Sequence, residues 1–197
     1  MQNLTSALHA AHAALGAPST WITRWSQLLA PGCTVLDVAC GSGRHLKWFA
    51  SRGHPVVGVD RDIAVARTHM PTAELVQADI ENGPWPLVTP QGPRRFGAVV
   101  VTNYLWRPLL PTLLQSLAPG GVLLYETFAA GNETVGRPAR PDFLLQPGEL
   151  LRVCAELQVL AYENGFATEP DRFVQRIAAF APALPSPAAT EMPRHPL

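Results

Sequence analysis

Charge of one sign is what this chain most clearly lacks: 15 basic and 15 acidic residues cancel, and neither kind forms a long run. The broad electropositive face of a nucleic-acid binder is therefore not expected, so nucleic acid is set aside as a partner. Cysteine is scarce too. Cys33, Cys40 and Cys154 are odd in number and show no C-x-x-C spacing, which argues against a disulfide framework or a zinc knuckle and suits a reducing cytoplasm. The histidines are scattered without ligand spacing, so no metal is expected. No apolar run approaches the roughly 20 residues of a membrane span, and the first residues lack the basic start and apolar core of a secretion signal. The expected protein is cytoplasmic and has no membrane part.

What is present is apolar bulk. A hydrophobic content of 47% over 197 residues is ample for a single core. We expect one domain over residues 1–181, with N-terminal helices within 1–30, and a loose Pro/Ala-rich tail over 182–197. Leu4, Leu8 and Leu15 mark a first entry helix; Trp21, Ile22, Trp25, Leu28 and Leu29 mark a second. Trp21 and Trp25 are read mainly as core, with a place beside substrate as the alternative.

From Thr34 onward, strands and helices alternate. TVLDVAC and PVVGVD are apolar and β-branched, as strands buried on both faces must be. A helix near 62–70 ends at Pro71, and ELVQAD is a short third strand. Residues 81–95 carry Pro84, Pro86, Pro90 and Pro93 and read as a surface loop, too broken for helix or strand. FGAVVVTN is the next buried strand. PLLPTLLQSLA is read as a helix stopped by Pro119-Gly120-Gly121, and VLLYETF as the strand after it. A polar Gly/Pro/Arg loop over 129–147 precedes a short helix near Pro147. LQVLAYENGFA and RFVQRIAAFA then form a hairpin.

The chemistry gathers between Asp37 and Arg61. Cys40-Gly41-Ser42-Gly43 breaks a buried strand with residues that tolerate a tight turn and let backbone approach a ligand, at a helix start that favours an anion. A dinucleotide fingerprint would need a third small residue, but after Gly41 and Gly43 the chain has Leu46, which makes NAD the weakest cofactor candidate. Asp60 closes the second strand about 20 residues after the turn, the station of an acid that accepts hydrogen bonds from ribose hydroxyls.

The run Asp37, Ala39, Gly41, Gly43, D-x-A-x-G-x-G, resembles the first motif of class I S-adenosylmethionine (SAM) dependent methyltransferases. NYLWRPL and the segment from Tyr125 resemble a bacterial set of small members grouped with tellurite-resistance and thiopurine-type enzymes. The resemblance covers roughly residues 30–180. It implies an α/β, doubly wound, mostly parallel seven-stranded sheet in the order 3-2-1-4-5-7-6, the seventh strand antiparallel, with helices on both faces. It also implies SAM as cofactor, S-adenosylhomocysteine (SAH) as product, and methyl transfer to a small-molecule acceptor. Asp37, Ala39 and the turn Cys40, Gly41, Ser42 and Gly43 would hold the methionine end, reinforced by Arg44. Asp60 and Arg61 would meet the ribose, Asp79 and Ile80 the adenine, and Asn103 would stand beside the methyl.

Three titratable groups, Tyr104, His45 and Glu126, are the candidate bases if the acceptor needs one. Tyr104 also stands as a substrate contact, together with Arg107, Arg137 and Arg140, which suggest an anionic acceptor. The competing reading pairs those arginines with Glu133 and Asp142. Methylation of tRNA or protein, and SAM binding without turnover, are the alternative functions. The chain is expected as a monomer or homodimer.

Overall fold

The structure, a computed structural model, describes residues 15–183. The first entry helix, with Leu4 and Leu8, and the tail beyond residue 183 lie outside them.

Ser19 opens helix α1 (Thr20–Trp25) by accepting a hydrogen bond from the Trp21 amide on its Oγ, and a 3₁₀ turn over Ser26–Leu28 finishes it. The strands are β1 (Val35–Val38), β2 (Val56–Asp60), β3 (Glu74–Gln77), β4 (Val88–Thr89), β5 (Gly92–Pro93), β6 (Phe96–Thr102), β7 (Leu117–Phe128), β8 (Gln158–Ala167) and β9 (Arg172–Phe180). Between them run helices α2 (Arg44–Ala50), α3 (Ala64–His69), α4 (Leu110–Gln115) and α5 (Glu149–Val153). The main sheet has the order β3-β2-β1-β6-β7-β9-β8, with β9 antiparallel to both neighbours and every earlier pairing parallel. This is the topology expected from the sequence.

Central strands are continuously apolar because both faces of the sheet are covered. On one face Trp21, Ile22 and Trp25 of α1 and Leu46 and Phe49 of α2 pack on Val35, Val100 and Leu124. On the other, Leu109, Leu113, Leu145 and Leu150 pack on Leu36, Val99 and Tyr125. Trp21 and Trp25 belong to this core: they meet edge to face at 5.6 Å, and the Trp21 indole donates to the Ile177 carbonyl. Both are buried.

Two expectations need correction. Residues 81–95 are not pure loop. Leu87 is buried and draws the chain back on itself, so β4 and β5 close a small hairpin in which Thr89 Oγ1 donates to the Gly92 carbonyl. Pro93 is tolerated there because so short an edge asks little of its missing N–H. Nor does Pro119-Gly120-Gly121 follow a helix. Helix α4 ends at Gln115, and β7 begins at Leu117, with the pairing slipping from Phe96↔Leu117 to Ala98↔Val122. That slip absorbs the Pro-Gly-Gly as a bulge. Gly121 lies so close to the Ala118 and Phe96 carbonyls that an added Cβ would sit 2.8 and 3.0 Å from them, so the bulge requires glycine.

Candidate active site

The carboxyl ends of β1, β2, β3 and β6 meet at one edge of the sheet, where strand order reverses between β1 and β6. In open α/β sheets this is where ligands bind. Two chambers open there. One, of about 390 Å³, is bounded by Asp60, Arg61, Asp79, Ile80 and Glu81. The other, of about 620 Å³, is bounded by Gly16, Gly41, Arg44, Thr102 and Asn103. Ala39, Asp60 and Tyr104 line both, so the two form one bent cleft.

The turn between β1 and α2 keeps a left-handed backbone at Ala39, Gly41 and Gly43. For alanine that costs of order 1 kcal/mol or more and persists only where its surroundings enforce it, a pattern typical of ligand sites. Here the enforcing group is Asp60. Its Oδ2 accepts from the Gly41 amide at 2.9 Å, and its Oδ1 accepts from the Asp62 amide at 3.0 Å. At Gly41 a Cβ would point into open space. Helix α2 is only seven residues long, so positive charge at the turn comes chiefly from Arg44. That guanidinium donates to the Ala17 carbonyl at 3.3 Å and the Thr102 hydroxyl at 3.5 Å, and forms no ion pair among the described residues.

Asp37 is 1% exposed in the middle of the sheet, and its Oδ2 has no hydrogen-bond partner among the described residues. Burial holds its carboxyl up at about 8, against the lowering influence of Arg44, with Asp60 pushing the same way as burial. His45 Nδ1 lies 3.8 Å from that oxygen, a spacing compatible with an ion pair. The ring's other nitrogen decides otherwise: Nε2 accepts the Ser19 N–H at 3.1 Å and so carries no proton. Burial and the Arg44 charge push the imidazole down to about 3. His45 is therefore a neutral spacer, not a proton relay at neutral pH.

This pair gives the protein without ligand a distinctive pH profile. Folded Asp37 keeps a proton that its unfolded counterpart loses above about 4, so its contribution to stability falls as pH rises through 8. Folded His45 refuses a proton that the unfolded ring takes below about 6.5, so its contribution falls as pH drops towards 3. The two slopes cancel between about pH 4 and 6.5. Above that only Asp37 acts, and we expect urea unfolding to show a loss of about 2 kcal/mol between pH 6.5 and 8 that Asp37→Asn abolishes. An unchanged loss in the variant would remove Asp37 from the account.

Asp79 is exposed. Its carboxyl is held below the usual range by the Asn82 amide and the backbone N–H groups of Glu81 and Asn82, which fix the loop that bounds the first chamber. Asn103 keeps a left-handed backbone, φ 54°, with its amide donating to the Glu126 carbonyl. The Tyr104 hydroxyl is buried beside the Glu81 carboxylate, and burial first and that carboxylate next raise its pKa. It stays a phenol and cannot serve as a base near neutrality.

Glu126 and the arginines depart from expectation. Glu126 is 1% exposed and spent elsewhere: Oε2 accepts from Arg176 Nε at 2.5 Å, Oε1 accepts from the Ser19 hydroxyl at 3.0 Å, and Arg172 stands 3.7 Å away. A carboxylate so engaged is no free base. Arg107 donates to Glu149 and to the carbonyls of Asp142 and Leu144, pinning the loop after β7. Arg140 pairs with Asp142 at 2.7 Å, and Arg137 is exposed. None of the three lines the cleft. Sequence reasoning missed Ser19, Thr102, Arg172 and Arg176, whose partners lie tens of residues away with no local spacing to announce them.

A doubly wound sheet with this order and a glycine turn after its first strand is the fold that the resemblance to SAM-dependent methyltransferases implies. Residues 35–121 match the family model described as a methyltransferase domain. That match, together with the sheet order and the turn, supports a class I SAM-dependent methyltransferase with SAM as its cofactor. It is 30% identical over 145 residues to a trans-aconitate 2-methyltransferase of Delftia acidovorans, covering 66% of this chain and 52% of that one. It is 33% identical over 109 residues to a malonyl-[acyl-carrier protein] O-methyltransferase of Serratia marcescens, covering 52% of this chain and 41% of that one. The chain thus spans about half the length of these curated relatives, or less. A TehB-like SAM-dependent methyltransferase from Corynebacterium glutamicum shares its fold with a TM-score of 0.59, at 21% identity, over 92% of this chain and 97% of the other.

Proposed function

We propose that the chain is an enzyme that moves a methyl group from SAM to a small-molecule acceptor. The observation that carries this reading is the Asp60 carboxylate, which ties the Gly41 turn to the end of β2 at the junction of two chambers. The residues present suit the cofactor. Arg44, which lines the second chamber, has no counter-ion among the described residues, and the Asp60 carboxylate at the junction accepts from the Gly41 and Asp62 amides. A ligand carboxylate would answer the first and ribose hydroxyls the second. Asp37, Ala39, Cys40, Gly41, Ser42, Gly43 and Arg44 then serve the methionine end, Asp60 and Arg61 the ribose, Asp79 and Ile80 the adenine, and Asn103 the neighbourhood of the methyl.

Bound there, SAM supplies an electrophilic methyl on a sulfonium. The chain's part is to orient donor and acceptor and to exclude water. The electron-rich ring of Tyr104 can also lie against a cation, for about 0.5–2 kcal/mol. The three candidate bases do not support proton abstraction: one stays a phenol, one is a buried neutral imidazole, and one is ion-paired. An acceptor already nucleophilic at neutral pH, or one that loses its proton to solvent, fits best. A small molecule is favoured over RNA by the balanced charge of the chain.

Calorimetry with SAH, followed by incubation of metabolite extracts with methyl-labelled SAM, tests the reading. We expect SAH to bind in the micromolar range, at roughly −7 to −8 kcal/mol, and label to appear in a low-molecular-weight product. No heat at millimolar SAH would end it.

A further inference from the structure

A third chamber, of about 270 Å³, adjoins the cleft at Asn103 and Tyr104, on the side away from the glycine turn. Its walls come from three places: the end of β6 and the segment beyond it (Asn103, Tyr104, Leu105), the end of β7 (Thr127, Phe128), and the loop after β7 (Pro138, Phe143). It shares Tyr104 with both other chambers and Glu81 with the first. Tyr104 is thus the wall at which all three meet. If the adenosyl part occupies the first chamber and the methionine part the second, the reacting centre lies between them, and the third is the space facing it.

Resting on the methyl-transfer reading, we infer that this third chamber holds the acceptor, and that the acceptor is a flat, uncharged aromatic molecule of one or two rings. The volume is below that of drug-sized pockets, which begin near 300 Å³. Leu105, Phe128, Pro138 and Phe143 present apolar surface, and with Tyr104 they offer aromatic faces and edges to a ring. Besides Tyr104, the polar residues that line it, Asn103 and Thr127, are neutral and suit a hydroxyl or ring nitrogen. The charged residue that lines it is Glu81, which repels a carboxylate. Among the described residues, no arginine lines it. Arg140 stacks 5.2 Å from the Phe143 ring but is already paired with Asp142, and Arg107 is committed to Glu149. An anion entering this chamber would lose its water and meet no cation.

The test compares three probes on SAH-saturated protein by ligand-observed NMR titration: 2-naphthol, 2-naphthoate and trans-aconitate. We expect 2-naphthol to bind at least about tenfold more tightly than either carboxylate, as an uncompensated buried charge requires. Phe143→Ala should weaken 2-naphthol by about tenfold through lost ring contact, and Phe143→Trp, which fills the chamber, should block it, both with SAH affinity unchanged. Carboxylates binding as tightly as 2-naphthol, or 2-naphthol indifferent to both Phe143 variants, overturns the inference. The series is repeated without SAH. Failure of SAH to bind then counts against the methyl-transfer reading, while the ranking of the probes still decides what the chamber prefers.

Discussion

Glu126→Ala is expected to cost about 3–5 kcal/mol of folding stability, a large part of the 5–15 kcal/mol a domain usually has. The carboxylate is the shared counter-charge of Arg176 and Arg172 and accepts the Ser19 hydroxyl, in a site from which water is nearly absent. Deleting it leaves two cations with little solvent: the Arg176 and Arg172 side chains are 15% and 21% exposed. Arg176 retains Glu163, but among the described residues Arg172 Nε already lacks a partner before the substitution. The damage spreads to the cleft, since the Ser19 that bonds Glu126 also donates its amide to His45 and precedes helix α1. Urea unfolding measures the loss. A second substitution, Arg176→Met, should recover part of it by removing a stranded charge, as coupling between contacting residues demands. A single variant within about 1 kcal/mol of the parent would mean that Glu126 is dispensable.

This network also shows where reading the sequence stops. The β1 turn was legible because its chemistry is local: an acid, an alanine and two glycines within seven positions, and Asp60 one crossover later. The strands and the final antiparallel hairpin are legible because buried parallel strands are uniformly apolar and the hairpin is not separated by a helix, while the sheet order follows from the family resemblance. Ser19, His45, Glu126 and Arg176 come from four elements whose only relation is tertiary. Nothing in their spacing marks Glu126 as a counter-charge, and by sequence alone it stands as a candidate base. Arg107, which follows β6, is hidden for the same reason: it reaches Glu149 across 42 residues. Proline and glycine misled at Pro119-Gly120-Gly121, since the residues that end a helix also form a bulge, and only the pairing of Phe96 with Leu117 separates the two outcomes.

Asp60→Ala should weaken SAH binding by about a hundredfold while leaving stability within about 1 kcal/mol of the parent. Two losses combine. Hydrogen bonds from ribose hydroxyls to a carboxylate contribute about 1.5–3 kcal/mol, or roughly 10- to 150-fold in affinity. In addition, Asp60 holds the Gly41 amide at 2.9 Å, so without it the turn is no longer fixed before the ligand arrives, and binding must order it. Asp60→Asn separates the contributions. Its carboxamide keeps one acceptor for the Gly41 amide but loses the charge and the second acceptor, so its affinity should fall between the parent and the alanine variant. Asp60 is partly exposed and lies outside the apolar clusters, so unfolding midpoints should barely move. Calorimetric titration of the three proteins with SAH gives the comparison. Equal affinities across the series would place the ribose elsewhere and sever the second chamber from the first.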